Sequence, residues 1–316
     1  MLTLFHQRLA VDYQAEIEVF LDKFPQYRYR DNKLQSCSPF RSERHPSFAV
    51  NLDNGTWIDS GAVGEFQKGN FITLLSFLRE EQYEDTCEYL TSVYSPLKKD
   101  VSDLHLDMTN FGKAPEPPNL KVFTADELSA YAYRHPYLQS RGISEPVQRL
   151  FRVGFDPEHK AVAMCWCDPV GQVVNIKFRS ISDKHFWYAG GQRIKSHLYG
   201  YHALPTTESQ TVVIVESEID CMRLWTVGIP ALALGTAHVS VEQGKLLLNA
   251  PVQEYVIATD NDSAGRKCGK QLEQLLAWST KVTNFKFFNT AAKDISDLSN
   301  AEILDGYTKR EILKLF

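Results

Sequence analysis

Three acidic clusters, each at the end of a hydrophobic run, constrain this chain more than any other feature. They are TVVIVESEID (211–220), EYVIATDNDSAGR (254–266) and KDISDL (293–298). Short β-branched runs bounded by polar residues read as buried parallel strands. Each cluster then stands just past a strand, on the edge of an open α/β sheet where ligands bind. Glu216, Asp220, Asp260, Asp262, Asp294 and Asp297 are expected to converge there. Carboxylates gathered this closely repel one another and raise their own pKa values. A hard divalent cation relieves that repulsion, and Mg²⁺ takes oxygen ligands while keeping waters for substrate phosphates. A pair of Mg²⁺ or Mn²⁺ ions is therefore the expected cofactor, able to hold both the attacking and the leaving oxygen of a phosphoryl transfer.

The order of these motifs resembles the TOPRIM domain of DnaG-type primases, topoisomerases and certain nucleases. The glutamate after the first strand is Glu216, the DxD pair is Asp260 and Asp262, and the third element is Lys293, Asp294 and Asp297. Ser217 stands where that family usually has glycine, and serine also fits a tight strand-to-helix turn. The resemblance implies catalytic roles for Glu216, Asp260 and Asp262, with metal binding shared by all six acids. The alternation from 211 onward reads as strand 211–216, helix 218–227, strand 229–235, helix 240–249, strand 254–260, helix 263–278 and strand 281–288, a parallel sheet with right-handed crossovers. A closing helix is expected over 301–316.

At 316 residues the chain has room for two or three domains. No apolar run approaches the roughly 20 residues of a membrane helix, and the first residues lack a signal-peptide core, so a cytoplasmic location without membrane contact is expected. The six cysteines form no CxxC pair, which points to neither a zinc ribbon nor a disulfide framework. The net charge of −5 conceals a polarity. Between Gly171 and Gly200 stand Lys177, Arg179, Lys184, Arg193 and Lys195 against the single acid Asp183.

The N-terminal part suggests a helix over 9–24, a strand near 27–30, then SCSPFRSERHPSFAV (36–50) and TWIDSGAVGEFQKGNFITLLSFL (56–78). This resembles the zinc-binding domain that opens DnaG-type and phage primases: Pro39, Phe40, Glu43, Pro46, Ser47 and Phe48 match its pattern. Its metal ligands do not match. Ser38 and Arg41 occupy the first cysteine and the histidine positions, and 57–64 contains no cysteine. Without thiolate or imidazole there, zinc is not expected. Packing of Phe40, Phe48, Trp57, Phe66 and Phe71 is expected to hold the domain instead. A helical region follows over 71–94. Prolines at 96, 115, 117 and 118 and the loss of any period mark 96–121 as a linker expected to be mobile, letting the small domain swing relative to the core.

From 122 the chain resembles the catalytic core of DnaG-type primases. YLQSRGIS (137–144) is similar to its opening signature, and FRVGFDPEH (151–159) to the segment that follows. VAMCWCDPVGQVVNIKFRS (162–180) reads as a hairpin, with Lys177 and Arg179 on one strand face. Lys195, Leu198, Tyr199 and Gly200 match the end of the next family segment. Arg141, Lys177, Arg179, Lys195 and Lys293 are the candidate nucleotide- and template-binding residues, since cations there meet triphosphate and template phosphates. Trp187 and Tyr188 fit base stacking or core packing equally well.

The organisation expected is α/β, or α+β overall. A degenerate zinc-binding-like α+β domain (1–95) and a linker (96–121) precede a mixed α+β basic subdomain (122–205). A TOPRIM parallel-sheet domain (206–300) and a C-terminal helix (301–316) follow. The resemblance implies a DNA primase, of phage or mobile-element type, making short RNA primers on a single-stranded DNA template from ribonucleoside triphosphates. No GxxxxGK[ST] loop occurs in the sequence, so a replicative helicase, if used, would act in trans. A TOPRIM nuclease using the same acids and a non-catalytic nucleic-acid-binding relic are the alternatives.

Overall fold

A computed structural model describes residues 2–4, 7–62, 67–94, 120–289 and 291–312. The linker expected over 96–121 lies almost wholly outside the described residues, as do Phe66 and the last four residues.

The N-terminal unit begins with the ribbon β1 (Leu2–Leu4) and β2 (Gln7–Leu9) and helix α1 (Tyr13–Glu18). The helix predicted over 9–24 is thus shorter. Asp12 caps its start, and a 3₁₀ turn at Leu21–Lys23 replaces its second half. An antiparallel sheet follows: β3 (Arg28–Arg30), β4 (Lys33–Ser36), β5 (Phe48–Asn51), β6 (Trp57–Asp59) and β7 (Lys68–Gly69), in that spatial order. The 71–94 region is two helices, α2 (Phe71–Arg79) and α3 (Tyr83–Tyr94). Glu80 separates them in the left-handed region at φ 56°, which ends α2 as a glycine would. Phe40, Phe48, Trp57 and Phe71 share one buried cluster with Leu74, Leu75 and Leu78.

At the expected zinc-ligand positions the structure has a buried ionic network. The Arg41 guanidinium donates to Asp59 Oδ1 at 2.8 Å and to Ser47 Oγ at 2.8 Å, and lies 2.6 Å from Glu43 Oε2. Glu43 also accepts from the Ser38 N–H at 2.6 Å. Asp59 is fully buried. The guanidinium thereby joins β6 to the 38–47 turn.

The middle unit carries the short helices α4 (Ala125–Ser129), α5 (Tyr137–Ser140) and α6 (Glu145–Leu150). Its antiparallel sheet consists of β8 (Gly154–Asp156), β9 (Ala161–Cys167), β10 (Val173–Ser180) and β11 (Phe186–Tyr188). Every residue of β9 is buried because the sheet is covered on both faces. Val162, Met164 and Trp166 enter the core shared with the third unit, and Ala161, Ala163, Cys165 and Cys167 enter a separate one.

The third unit alternates β12 (Thr211–Val215), α7 (Glu218–Thr226), β13 (Ala231–Ala233), α8 (Val241–Asn249), β14 (Glu254–Ile257), α9 (Ser263–Leu276) and β15 (Lys281–Asn284). These strands are parallel, in the order β13-β12-β14-β15, and the expected α/β alternation is present. The C-terminal helix corrects the prediction. α10 (Asn300–Thr308) stops early, and β16 (Glu311–Ile312) adds to β15 as an antiparallel edge. Arg310 fixes this return, its Nε donating to Glu254 Oε1 at 2.6 Å. Pairing with an open sheet edge thus outweighs continuation of the helix.

The N-terminal unit is docked on the other two. Phe77 stacks on Phe186 at 5.5 Å, and the Lys184 N–H donates to the Phe40 carbonyl at 3.0 Å. The Arg193 guanidinium bonds Asp85 and Glu88 on α3, and Lys195 Nζ lies 3.0 Å from Asp85 and 3.1 Å from Glu88.

Candidate active site

The acids sit where the parallel strands end. Glu216 follows β12 directly, and its Oε1 accepts the Asp260 N–H at 3.0 Å, tying the first two clusters together. Ser217 caps α7 with an extended backbone, φ −99°, so the turn does not demand glycine. Its hydroxyl accepts the Asp220 N–H and donates to Asp220 Oδ2 at 2.6 Å. The other Asp220 oxygen accepts from the N–H and hydroxyl of Ser296 at 2.8 and 2.5 Å, which draws the third cluster in. Asp262 caps α9 through the Gly265 N–H at 2.8 Å. Gly265 is forced by close approach: a Cβ there would lie 2.0 Å from the Asp260 carbonyl oxygen.

Glu216, Asp220, Asp260, Asp262 and Asp294 line one cavity of about 180 Å³ with Arg141, Lys177, Arg179 and Lys293. Of the residues expected at the site, Asp297 and Lys195 are not in this lining. Asp297 is exposed and acts on the loop, its Oδ2 accepting the Lys293 N–H at 2.9 Å. Lys195 is engaged by Asp85 and Glu88 across the domain seam. Lys177 and Arg179 share the β10 face that pairs with Met164 and Val162, towards the acids. Lys177 is buried, however, and its ammonium donates to Glu218 Oε2 at 3.1 Å, while Trp166 Nε1 donates to the other oxygen. Trp187 packs flat on Phe178 at 5.5 Å, and the Tyr188 hydroxyl donates to the Glu80 carbonyl. Arg223 links the 137–144 turn to the third cluster by donating to the carbonyls of Gly142 and Leu298.

Burial pushes the Asp260, Glu216 and Asp220 carboxyls well above the usual range, and facing acids push the same way: Glu216 on Asp260, Asp262 on Glu216 and Asp294 on Asp220. Against its own burial, Lys293 is held above its usual value by Asp260, Asp262 and Asp22. Its ammonium lies 3.4 Å from Asp262 and 3.5 Å from Asp22. Among the described residues no three His, Cys, Asp or Glu side chains stand close enough together to enclose a metal ion. Mg²⁺ needs no such cage. It takes one or two carboxylates and fills its remaining positions with water and phosphate oxygens. A carboxylate set under mutual repulsion, open to one cavity, fits that requirement.

Sequence reasoning missed Glu218, Lys23 and Glu80. Glu218 stands two residues after Glu216 and faces the basic strand. Lys23 and Glu80 reach the cavity from the N-terminal unit, and no local pattern announces that.

Residues 213–299 match the family described as Toprim-like. The DNA primase of Haemophilus influenzae is 24% identical, over 80% of this chain and 51% of its own length. That of Clostridium acetobutylicum is 24% identical, over 79% of this chain and 49% of its own. The chain thus spans about half the length of the relatives it matches. The zinc-binding and RNA polymerase domains of the Aquifex aeolicus primase superpose with a TM-score of 0.50 at 18% identity, covering 96% of this chain and 84% of that one. No helix among the described residues is long and apolar enough to cross a membrane. Residues 213–299 therefore resemble the Toprim-like family, on a chain with the fold of the zinc-binding and RNA polymerase domains of the Aquifex aeolicus primase.

Proposed function

We propose that the chain is a DNA primase, a nucleotidyltransferase that joins ribonucleoside triphosphates into short RNA on a single-stranded DNA template. The observation that carries this reading is the cavity itself, with five carboxylates on a sheet edge facing Lys177 and Arg179 on a neighbouring strand. Asp260, Asp262 and Glu216 would hold Mg²⁺ or Mn²⁺, with Asp220 and Asp294 beside them and Asp297 ordering the Lys293 loop. Such a cation neutralises charge on the transferring phosphoryl group and lowers the pKa of the attacking hydroxyl. Glu216 would take the proton of that hydroxyl only where it does not itself ligate the cation. Arg141, Arg179 and Lys293 would hold triphosphate or template phosphates by charge-assisted hydrogen bonds. Lys177, neutralised by its buried pair with Glu218, would meet a phosphate only through its remaining N–H groups. Lys195 would act on nucleic acid only after leaving Asp85 and Glu88.

The test is incubation with single-stranded DNA, Mg²⁺ and labelled ribonucleotides. Short RNA is expected. Shortened DNA would replace this reading with a TOPRIM nuclease, and no product at all would support a non-catalytic relic. A replicative helicase in trans is a further proposed partner, and the cytoplasm the proposed compartment.

Arg179→Ala is expected to raise the KM for nucleotide without unfolding the chain. Losing a hydrogen bond to a charged group costs about 1.5–3 kcal/mol, so KM should rise on the order of tenfold or more. Steady-state rates at subsaturating nucleotide, beside a thermal melt, check this. Elemental analysis is expected to find no stoichiometric zinc, because Arg41 and Asp59 fill the ligand region with an ion pair. One zinc per chain would contradict that.

A further inference from the structure

The catalytic cavity contains a carboxylate that belongs to another domain and has no part in the proposed chemistry. Glu80 closes α2 and lines the cavity with Lys177 and Arg179. Its φ of 56° is unusual for a residue with a side chain. Such strain persists only where the surroundings enforce it. Here the Tyr188 hydroxyl, opposite Lys177 in the sheet, donates to the Glu80 carbonyl at 3.3 Å. Beside it, Lys23 Nζ donates to the Leu78 carbonyl at 2.8 Å and to Glu80 Oε1 at 3.2 Å. Lys23 lines the same cavity.

Lys23 thus pairs with the Glu80 carboxylate, and Lys177 and Arg179 line the same cavity. Arg179 Nε is buried without a hydrogen-bond partner among the described residues. Lys177 donates one of its three N–H groups in a hydrogen bond to Glu218. We propose that Lys23, Lys177 and Arg179 form a phosphate subsite, and that the Glu80 carboxylate fills it as an internal competitor while the N-terminal domain is docked. The attraction is visible in Glu80 itself. The Glu80 side chain is 42% exposed, yet Lys23, Lys177 and Arg179 hold its carboxyl below the ordinary range.

The ligand class follows from the donors. Two ammoniums and a guanidinium fork suit a polyphosphate, which carries more charge and more acceptor oxygens than one carboxylate. The cavity of about 180 Å³ falls short of the roughly 300–1,000 Å³ of sites that take a whole small ligand. A nucleotide therefore enters by pushing Glu80 aside and loosening the docked domain. This deepens the primase reading and rests on it for the identity of the polyphosphate.

The experiment is calorimetric titration of the full chain with inorganic tripolyphosphate in excess Mg²⁺. Glu80→Gln keeps the shape and removes the competing charge, and is expected to lower Kd by roughly tenfold, which is about 1.4 kcal/mol. Lys23→Ala is expected to raise Kd, and Lys23→Arg to restore it. A purely structural role for Lys23 would move the melting temperature but not the Kd of a refolded, intact variant. An unchanged or higher Kd in Glu80→Gln overturns the proposal, as does an unchanged Kd in Lys23→Ala. The two readings fail separately. Normal primer synthesis with no effect of Glu80→Gln on Kd sinks the subsite alone. A lowered Kd in a chain that makes no primer sinks the primase reading and leaves the subsite standing.

Discussion

Asp260→Asn is expected to lose primer synthesis by at least a hundredfold, the scale of removing one preorganised electrostatic partner from a phosphoryl-transfer site, while keeping its fold. In metal-free buffer the variant should melt at the same temperature or slightly higher. Burial and the facing Glu216 and Asp220 raise the Asp260 carboxyl in the folded chain. A carboxyl raised on folding binds its proton more tightly in the native state. Stability therefore falls as pH climbs from the ordinary Asp range towards the folded value, and at neutral pH the group costs stability. Asparagine removes that cost. With Mg²⁺ the sign reverses, because the variant lacks an anionic oxygen ligand and gains less from added cation. Asp262→Asn should behave alike in activity, but it also caps α9, and an Asn cap preserves that role. Thermal melts with and without millimolar Mg²⁺, beside the synthesis assay, read both effects.

Arg41→Ala is expected to destabilise the N-terminal domain by about 3–5 kcal/mol, the usual cost of breaking a buried ion pair from one side. Asp59 is fully buried and would be left without its guanidinium. Replacing both partners by apolar residues of similar volume should recover only part of the loss, because Glu43, 2.6 Å from the guanidinium, still loses its cation. The pH dependence has a definite sign. Although burial opposes it, hydrogen bonds from Arg41, Ser38, Ser47 and the Gly61 N–H lower the Asp59 carboxyl. The contribution is therefore present above the ordinary Asp range and is lost as pH falls through the folded value. Denaturant melts of the single and double variants at neutral and acid pH check both statements. A single variant as stable as the parent chain would show that the network does not hold the domain.

The acid edge was legible because its signals are local. Continuous β-branched runs mark buried parallel strands, and β12 and β14 are buried almost throughout. Ser217 in place of glycine proved harmless for a readable reason, since its backbone is extended and its hydroxyl caps the helix. What the sequence hid is non-local. Lys177 and Arg179 have the same spacing in any strand, and nothing nearby says that Glu218 claims the first. Lys195 shows the same limit: a basic residue in a basic segment reads as a phosphate contact until Asp85 and Glu88 arrive from α3. The Arg41 network was half visible, since the missing zinc ligands were plain but the pairing of Arg41 with Asp59, 18 residues on, was not. The C-terminal helix failed for a related reason, because the competing partner, the edge of β15, is a tertiary feature.

The central claim is that the cavity between the acid edge and β10 builds RNA on a DNA template. One reaction tests it: single-stranded DNA labelled in one colour, ribonucleotides labelled in another, Mg²⁺ present, and both colours followed on a denaturing gel. Short ribonucleotide-labelled products over an undegraded template, absent when the metal is chelated, are the result expected. Template that shortens with time while no labelled RNA forms would contradict the account.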